Sequence, residues 1–260
     1  MATHNRKFSI VMPAFNAEQT LGESIASVIS QSYEDWELII VDDKSTDNTY
    51  CAATAAASAD KRIKVVKLSR NSGVAKARNH AMELATGRYI AFLDSDDTWT
   101  DDKLTLQYNA FSAGAKVVFG SYRRVFSDNT FQTVRAKSDI DENIFKYYNP
   151  IGNLTGAYDR ALGIVPQKDI RHEDYLMWYE LVSRSKRAIG LKEILGNYRV
   201  SSTSLSGNKF RAAKWHWDVL RTGMNISAVN ATVCFVGYAL NTASIRLSQR
   251  AKLASTAAKE

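Results

Sequence analysis

Short runs rich in β-branched residues alternate with helical stripes through the first 120 residues of this 260-residue chain. Residues 8–12 read as a strand, after which Leu21, Ile25, Val28 and Ile29 fall on one face of a helix. Thr20 and Glu23 have capping-box spacing at its start, with Asn16 and Gln19 a competing earlier start. Residues 36–41 are almost wholly apolar, as expected of a strand covered on both faces. An alanine-rich helix over 47–59, a strand over 63–68 and a helix over 74–85 follow, with Gly87 placed to terminate that helix. Strands over 88–93 and 116–120 flank a helix at 101–112. This βαβαβαβ order predicts an α/β fold with a doubly wound, mostly parallel sheet.

Beyond residue 120 the rhythm changes. Residues 121–126 and 130–136 suit a hairpin around Ser127-Asp128-Asn129, followed by a helix at about 140–148, a short strand near 154–158 and a helix over Glu173–Ser185. The last fifty residues are basic, aromatic and helical in pattern. Lys209, Arg211, Lys214 and Arg221 are interleaved with Phe210, Trp215 and Trp217, and residues 222–245 then carry no Asp, Glu, Lys or Arg. A stretch of that length could span a bilayer, which needs roughly 20 residues. Its asparagines (Asn225, Asn230, Asn241) argue against it, whereas Ile226, Val229, Val233, Val236 and Leu240 form the stripe of an amphipathic helix. Such a helix either packs on the rest of the chain or lies in a membrane interface.

A hydrophobic share of 45% and a charged share of 23% exclude disorder and fibrous repeats. The two cysteines, Cys51 and Cys234, make neither a disulfide framework nor a metal motif. The net charge of +7 points to an anionic partner. Because the basic residues are scattered outside the C-terminal segment, nucleic acid is the weakest candidate. The polar start, running directly into a strand, has no signal-peptide pattern, and a cytoplasmic location is expected.

Ligands of open parallel sheets sit outside the carboxyl ends of the strands. Three polar clusters fall there: Pro13-Ala14-Phe15-Asn16, Asp42-Asp43-Lys44-Ser45 and Asp94-Ser95-Asp96-Asp97. One acidic pair after a strand is usually a helix cap. Two clusters at one edge repel each other, and a divalent cation offsets that repulsion; oxygen-only ligands suit Mg2+ or Mn2+. No Gly-x-Gly-x-x-Gly or Walker loop is present, which removes dinucleotide binding and P-loop hydrolysis.

These clusters, together with Asn71-Ser72-Gly73, Ala77-Arg78-Asn79 and Glu173-Asp174-Tyr175-Leu176-Met177-Trp178, resemble in order the motifs of the inverting GT-A glycosyltransferases of family 2. The resemblance covers roughly residues 7–205. It implies a GT-A catalytic domain over 7–205, with a nucleotide-binding half at about 7–120 and an acceptor half at about 121–205, and a helical C-terminal extension over 206–260. It implies that Pro13, Ala14, Phe15 and Asn16 lie beside the nucleotide, and that Asp43 accepts from uracil or ribose. Arg78 then belongs near the diphosphate, Asp94 at the ribose or a metal-bound water, and Ser95 beside the donor. Asp96 would be the ligand of Mn2+ or Mg2+, Asp174 the general base with Glu173 a second candidate, and Arg199 and Ser204 phosphate contacts. His172 is a further candidate contact, and Ser201 stands where many relatives carry a histidine.

The implied activity is metal-dependent transfer of a sugar from a UDP-sugar donor to a hydroxyl of a glycan acceptor, carried on undecaprenyl diphosphate, in surface-polysaccharide synthesis. The C-terminal extension would make peripheral contact at the cytoplasmic face of the membrane. One alternative is transfer to a polyprenyl phosphate, which is already ionised and needs no base. Another is a non-catalytic scaffold protein of polysaccharide assembly, which loss of the acidic cluster would favour; Asp94, Asp96 and Asp97 are all present.

Overall fold

A computed structural model describes residues 7–168, 173–200 and 209–238. Strands β1 (Phe8–Ala14), β2 (Trp36–Asp42), β3 (Ile63–Lys67) and β4 (Tyr89–Phe92) alternate with helices α1 (Leu21–Ile29), α2 (Thr49–Ala59) and α3 (Val74–Leu84). They pair in parallel in the spatial order β3-β2-β1-β4. Every residue of β1 and β2 is buried, so their sequences read as continuous apolar runs without alternation. Ile10, Met12, Leu38 and Ile40 pack in one core with Leu21, Ile25 and Val28 of α1. Full burial of each such side chain contributes about 1.5–3 kcal/mol.

The chain continues through β5 (Thr98–Trp99), α4 (Lys103–Ser112), β6 (Val117–Val125), β7 (Phe131–Val134), β8 (Asp139–Ile140), β9 (Ala157–Asp159), α5 (Glu173–Ser185) and β10 (Ala188–Arg199). The sheet extends from β4 in the order β9-β6-β10-β5, with β9 antiparallel to both β4 and β6, and with β10 parallel to β6. The result is the mostly parallel, mixed sheet flanked by helices that the pattern predicted.

Three local expectations are corrected, and one strand stands where none was expected. Thr20 precedes α1, but its side chain does not cap the helix; its hydroxyl donates to the Ser95 carbonyl at 2.8 Å and ties the helix start to the loop after β4. Gly87 does not end α3, which stops at Leu84 with Ala85 as its C-cap. A Cβ at Gly87 would lie 2.5 Å from the Lys7 carbonyl oxygen, so close strand approach requires the glycine. The helix expected at 140–148 is a short 3-10 segment, Glu142–Lys146. Strand β10 had no sequence signal, because register shifts between Leu191 and Ile194 and between Ile194 and Asn197 break the two-residue period.

The chain divides into two compact units, one of Met1–Glu142 and Pro150–Ser204, the other of Asn143–Asn149 and Leu205–Glu260. In the second, α6 (Lys209–Asp218) runs into a π-helical stretch, Val219–Gly223, and a helix α7 follows over residues 228–238. Leu220, Ala231 and Cys234 form a small core against which Trp217, Met224, Ile226 and Phe235 pack. His216 Nε2 lies 3.1 Å from the Lys146 carbonyl oxygen and attaches the 143–149 segment. Ile226 thus turns inward and leaves the expected stripe, Leu240 lies outside the described residues, and Val229, Val233 and Val236 are 76%, 65% and 53% exposed. Among the described residues no helix is long and apolar enough to cross a membrane.

Candidate active site

Parallel pairing in register, Ala14 with Asp42 and Val11 with Phe92, brings the loops after β1, β2 and β4 to one edge of the sheet. The first two loops are clasped together. Asn16 and Lys44 adopt left-handed φ values of 48° and 65°, a region in which asparagine is enriched. Asn16 N–H donates to Ser45 Oγ at 3.0 Å, and Asn16 Oδ1 accepts from Thr46 N–H at 2.9 Å. Ala17 N–H donates to Thr49 Oγ1 at 2.7 Å. The buried Asp43 fastens β2 to the start of α3, accepting from Ser72 N–H at 2.7 Å and Gly73 N–H at 2.8 Å. Gly73 has φ 91°, which only glycine adopts without strain.

The opposite wall is built on charge. Arg78 of α3 is buried, and its Nη2 donates to both oxygens of Asp94, at 2.7 and 2.9 Å. Its Nη1 donates to Gln167 Oε1 and Glu173 Oε1, each at 3.1 Å. Gln167 is itself fixed by two backbone hydrogen bonds with the Asn79 side chain, each of 2.8 Å. Burial alone would lower the Arg78 pKa, but Asp94, Glu173 and Asp174 outweigh it and hold the guanidinium above its usual value. Asp174, beside Glu173 in the first turn of α5, is half-buried. Burial pushes its pKa up to about 6, with Arg78 opposing and Glu173 and Asp94 reinforcing the rise.

Burial and the Asp94 charge also raise Asp96, and burial with Asp94 and Asp96 raises Asp97 well above the carboxylate range. Asp97 accepts from Arg199 N–H at 2.9 Å, while the Arg199 guanidinium donates to the Asp96 carbonyl at 3.1 Å and pairs with Glu23.

Between these walls lies a cavity of about 760 Å³. Pro13, Ala14, Phe15, Asn16, Asp43, Arg78, Asp94, Ser95 and Arg199 all line it, as does Asp96. Glu173 and Asp174 do not; Glu173 is connected to the cavity through Arg78. His172, Ser201 and Ser204 lie outside the described residues. The roles of Gln167 and Glu23 went unrecognised in the sequence, because Gln167 stands in no motif, Glu23 reads only as part of a capping box, and each meets its arginine across a long stretch of chain.

Among the described residues no group of three or more His, Cys, Asp or Glu side chains is placed to enclose a metal ion. Asp94 is committed to Arg78, whereas the Asp96 carboxylate faces the cavity without a hydrogen-bond partner from another described residue. That donor fits a hard cation which draws its other ligands from phosphate oxygens and water.

A profile of the family described as Glycosyl transferase family 2 matches residues 9–165. TuaG of Bacillus subtilis (strain 168), provisionally named a teichuronic acid biosynthesis glycosyltransferase, is 38% identical over 244 residues, covering 92% of this chain and 97% of that protein. Escherichia coli WfgD, named UDP-Glc:alpha-D-GlcNAc-diphosphoundecaprenol beta-1,3-glucosyltransferase, is 37% identical over 215 residues, covering 82% and 84%. S. aureus TarS 1-349 in complex with UDP-GlcNAc superposes with a TM-score of 0.67 at 21% identity, covering 89% of this chain and 71% of that one. Of a longer S. aureus TarS chain only 42% is covered. Pyrobaculum calidifontis mannosyltransferase PcManGT, in complex with GDP-Man and Mn2+, gives 0.63 at 19% identity, covering 97% and 79%. These likenesses establish a shared GT-A fold.

Proposed function

The chain belongs to glycosyl transferase family 2 and is a glycosyltransferase, and from that premise we propose that it moves a sugar, with inversion, from a UDP-sugar to a hydroxyl of a glycan carried on undecaprenyl diphosphate, in surface-polysaccharide synthesis. The observation that carries this reading is the convergence of the strand-end loops on one cavity lined by Asp43, Arg78, Asp94 and Asp96, whose Arg78 also interacts electrostatically with the Asp174 carboxylate. The names of two E. coli relatives, WfgD and WfaP, specify UDP-Glc and a diphosphoundecaprenol acceptor. UDP-glucose is an α-glycoside, so a single displacement yields a β linkage, the linkage in those names.

In this reading Pro13 to Asn16 and Asp43 flank the uracil and ribose, and Arg78 lies toward the diphosphate with Asp94 holding it in place. Asp174 takes the proton of the acceptor hydroxyl as that oxygen attacks the anomeric carbon and the bond to the diphosphate oxygen breaks; Glu173 is the second candidate for that role. A carboxylate with a pKa of about 6 is largely ionised at neutral pH, yet is a stronger base than an ordinary aspartate. Asp96 would hold Mn2+ or Mg2+, which when bound supplies a Lewis acid for the leaving diphosphate. The exposed Val229, Val233 and Val236 support peripheral membrane contact at the cytoplasmic face, where a lipid-linked acceptor would be met.

The test is a screen of nucleotide sugars for UDP release, with and without Mn2+. Mn2+-dependent hydrolysis of at least one UDP-sugar is expected. Hydrolysis confined to GDP- or dTDP-sugars, or undiminished in chelator, would overturn the donor or the metal assignment respectively.

A further inference from the structure

Helix α1 carries two stripes. Leu21, Ile25 and Val28 pack into the core, while Thr20, Glu23, Ser27 and Gln31 recur at three- and four-residue steps along the helix and its flanks. All four polar residues meet the chain that runs from Ser95 to Leu104, and the order of contacts ascends in both. Thr20 Oγ1 donates to the Ser95 carbonyl at 2.8 Å. Glu23 pairs with the Arg199 guanidinium, whose Nε donates to the Asp96 carbonyl at 3.1 Å. Ser27 Oγ accepts from Trp99 N–H at 3.1 Å. Gln31 donates to the Thr100 carbonyl at 2.7 Å and accepts from Leu104 N–H at 3.0 Å.

The Ser95 and Asp96 carbonyls belong to the two peptide planes on either side of the Asp96 Cα, and each plane is rigid. Holding both planes fixes φ and ψ of Asp96, and with them the direction in which its Cα–Cβ bond leaves the chain. Asp97 N–H, in the second plane, donates back to the Asp94 carbonyl at 3.1 Å and closes the turn. The Asp96 carboxylate has no hydrogen-bond partner from another described residue, so the backbone beneath it is what aims it into the cavity. The Thr20 hydroxyl has a single proton to give. The competing Ala17 carbonyl lies 3.4 Å away, so that proton goes to Ser95.

We propose that Thr20 and Glu23 are positioning residues for the metal site. They act on Asp96 through its two flanking carbonyls, Glu23 by way of Arg199, and set the direction of the carboxylate offered to the ion. The inference rests on the assignment of Asp96 to the metal in the transferase reading above. Ser27 and Gln31 grip the same segment after Asp96 and hold β5 and the first turn of α4 in place.

The full chain is titrated with Mn2+ in saturating UDP, and free Mn2+ is read by electron paramagnetic resonance. Thr20→Val weakens Mn2+ binding about tenfold or more, the usual effect of removing a group that orients a metal ligand. Thr20→Ser, which keeps the hydroxyl, stays near the wild type. Glu23→Ala weakens binding by less and leaves the melting temperature unchanged, since the Glu23 side chain is 63% exposed and exposed ion pairs add little stability. Gln31→Ala does the reverse, lowering the melting temperature while Mn2+ affinity stays. Affinity for UDP without metal is unchanged in the Thr20 and Glu23 variants, and in metal-free Thr20→Val the Asp97 amide exchanges faster with deuterium. Mn2+ affinity kept in Thr20→Val and Glu23→Ala overturns the inference, as does a Thr20→Ser protein as weak as Thr20→Val, or an equal loss in Gln31→Ala. A fall in metal-free UDP affinity that matches the fall for Mn2+ also overturns it, because Thr20 lines the cavity and would then be a donor contact. A wild type that binds UDP but no Mn2+ would instead overturn the metal assignment, and this inference with it.

Discussion

Asp43, at the end of β2, and Asp96, after β4, are carboxylates at the same edge of one sheet, yet Asp43 has both oxygens filled by backbone N–H groups while Asp96 has none from another described residue. The contrast extends to their surroundings. Around Asp43 the loops close on one another through neutral Asn16, Ser45, Thr46 and Thr49, with the Asp47 and Glu18 carboxylates accepting backbone N–H bonds from the facing loop. The carboxylates of Asp94, Asp96, Asp97, Glu173 and Asp174 instead gather about two arginines, and Asp96, Asp97 and Asp174 have raised pKa values. The first region spends its acidity on architecture, and the second keeps it available. What separates them is whether the next loop turns back to supply N–H donors, as Ser72-Gly73 does.

The contrast is sharpest at Asp174. Asp174→Asn should lower transfer about 10²–10⁴-fold, the usual contribution of a positioned base, with the UDP dissociation constant nearly unchanged; Glu173→Gln should do less. A larger loss for Glu173→Gln would exchange their roles, and no loss in either would favour an acceptor that arrives ionised. Because the base must be charged to act, the wild-type transfer rate should climb as pH rises through about 6 and level off above it. A flat profile from pH 5 to 8 would remove Asp174 from the chemistry.

Asp96→Asn should cost roughly 10²–10³ in transfer, comparable to losing one group that stabilises developing charge. It should also erase the Mn2+ dependence of UDP binding, with circular dichroism preserved and the melting temperature at least as high as that of the wild type. Asp43→Asn should act the other way round. Replacing an acceptor of two backbone N–H bonds costs about 1–3 kcal/mol of stability, read as a lower urea midpoint at unchanged slope. If Asp43→Asn leaves the midpoint in place, the architectural reading of the first region fails. Smallest is Gly73→Ala, which forces a side chain into a left-handed φ and should cost about 1–2 kcal/mol. Loss of donor affinity without loss of stability there would place Gly73 on the binding side of the comparison.

Much of this was legible in the sequence. The first four strands and three helices follow from apolar runs and stripes, because β1 and β2 are buried on both faces and α1 on one. The residues expected at the donor line one cavity because strand-end loops in a parallel sheet share an edge. Tertiary choices were not legible. Thr20 has the composition of a cap, but the Ser95 carbonyl was available to its hydroxyl. Gly87 resembles a helix stop in the sequence, and only the backbone of Lys7 shows what it is for. The long pairings of Gln167 with Arg78 and of Glu23 with Arg199 leave no local pattern for a reader to find.

The raised carboxylates carry an evolutionary consequence. A carboxylate whose folded pKa exceeds its ordinary value of about 4 contributes stability below that value and forfeits it as pH climbs through the folded one. At neutral pH, Asp96, Asp97 and Asp174 therefore weaken the fold they belong to. A lineage released from the need for this chemistry would find asparagine at these three positions an easy route to a hardier protein. Screens that select for thermal tolerance alone should drift toward the same replacements, so retention of all three acids in a thermostable variant would itself be a sign that selection for turnover had been maintained.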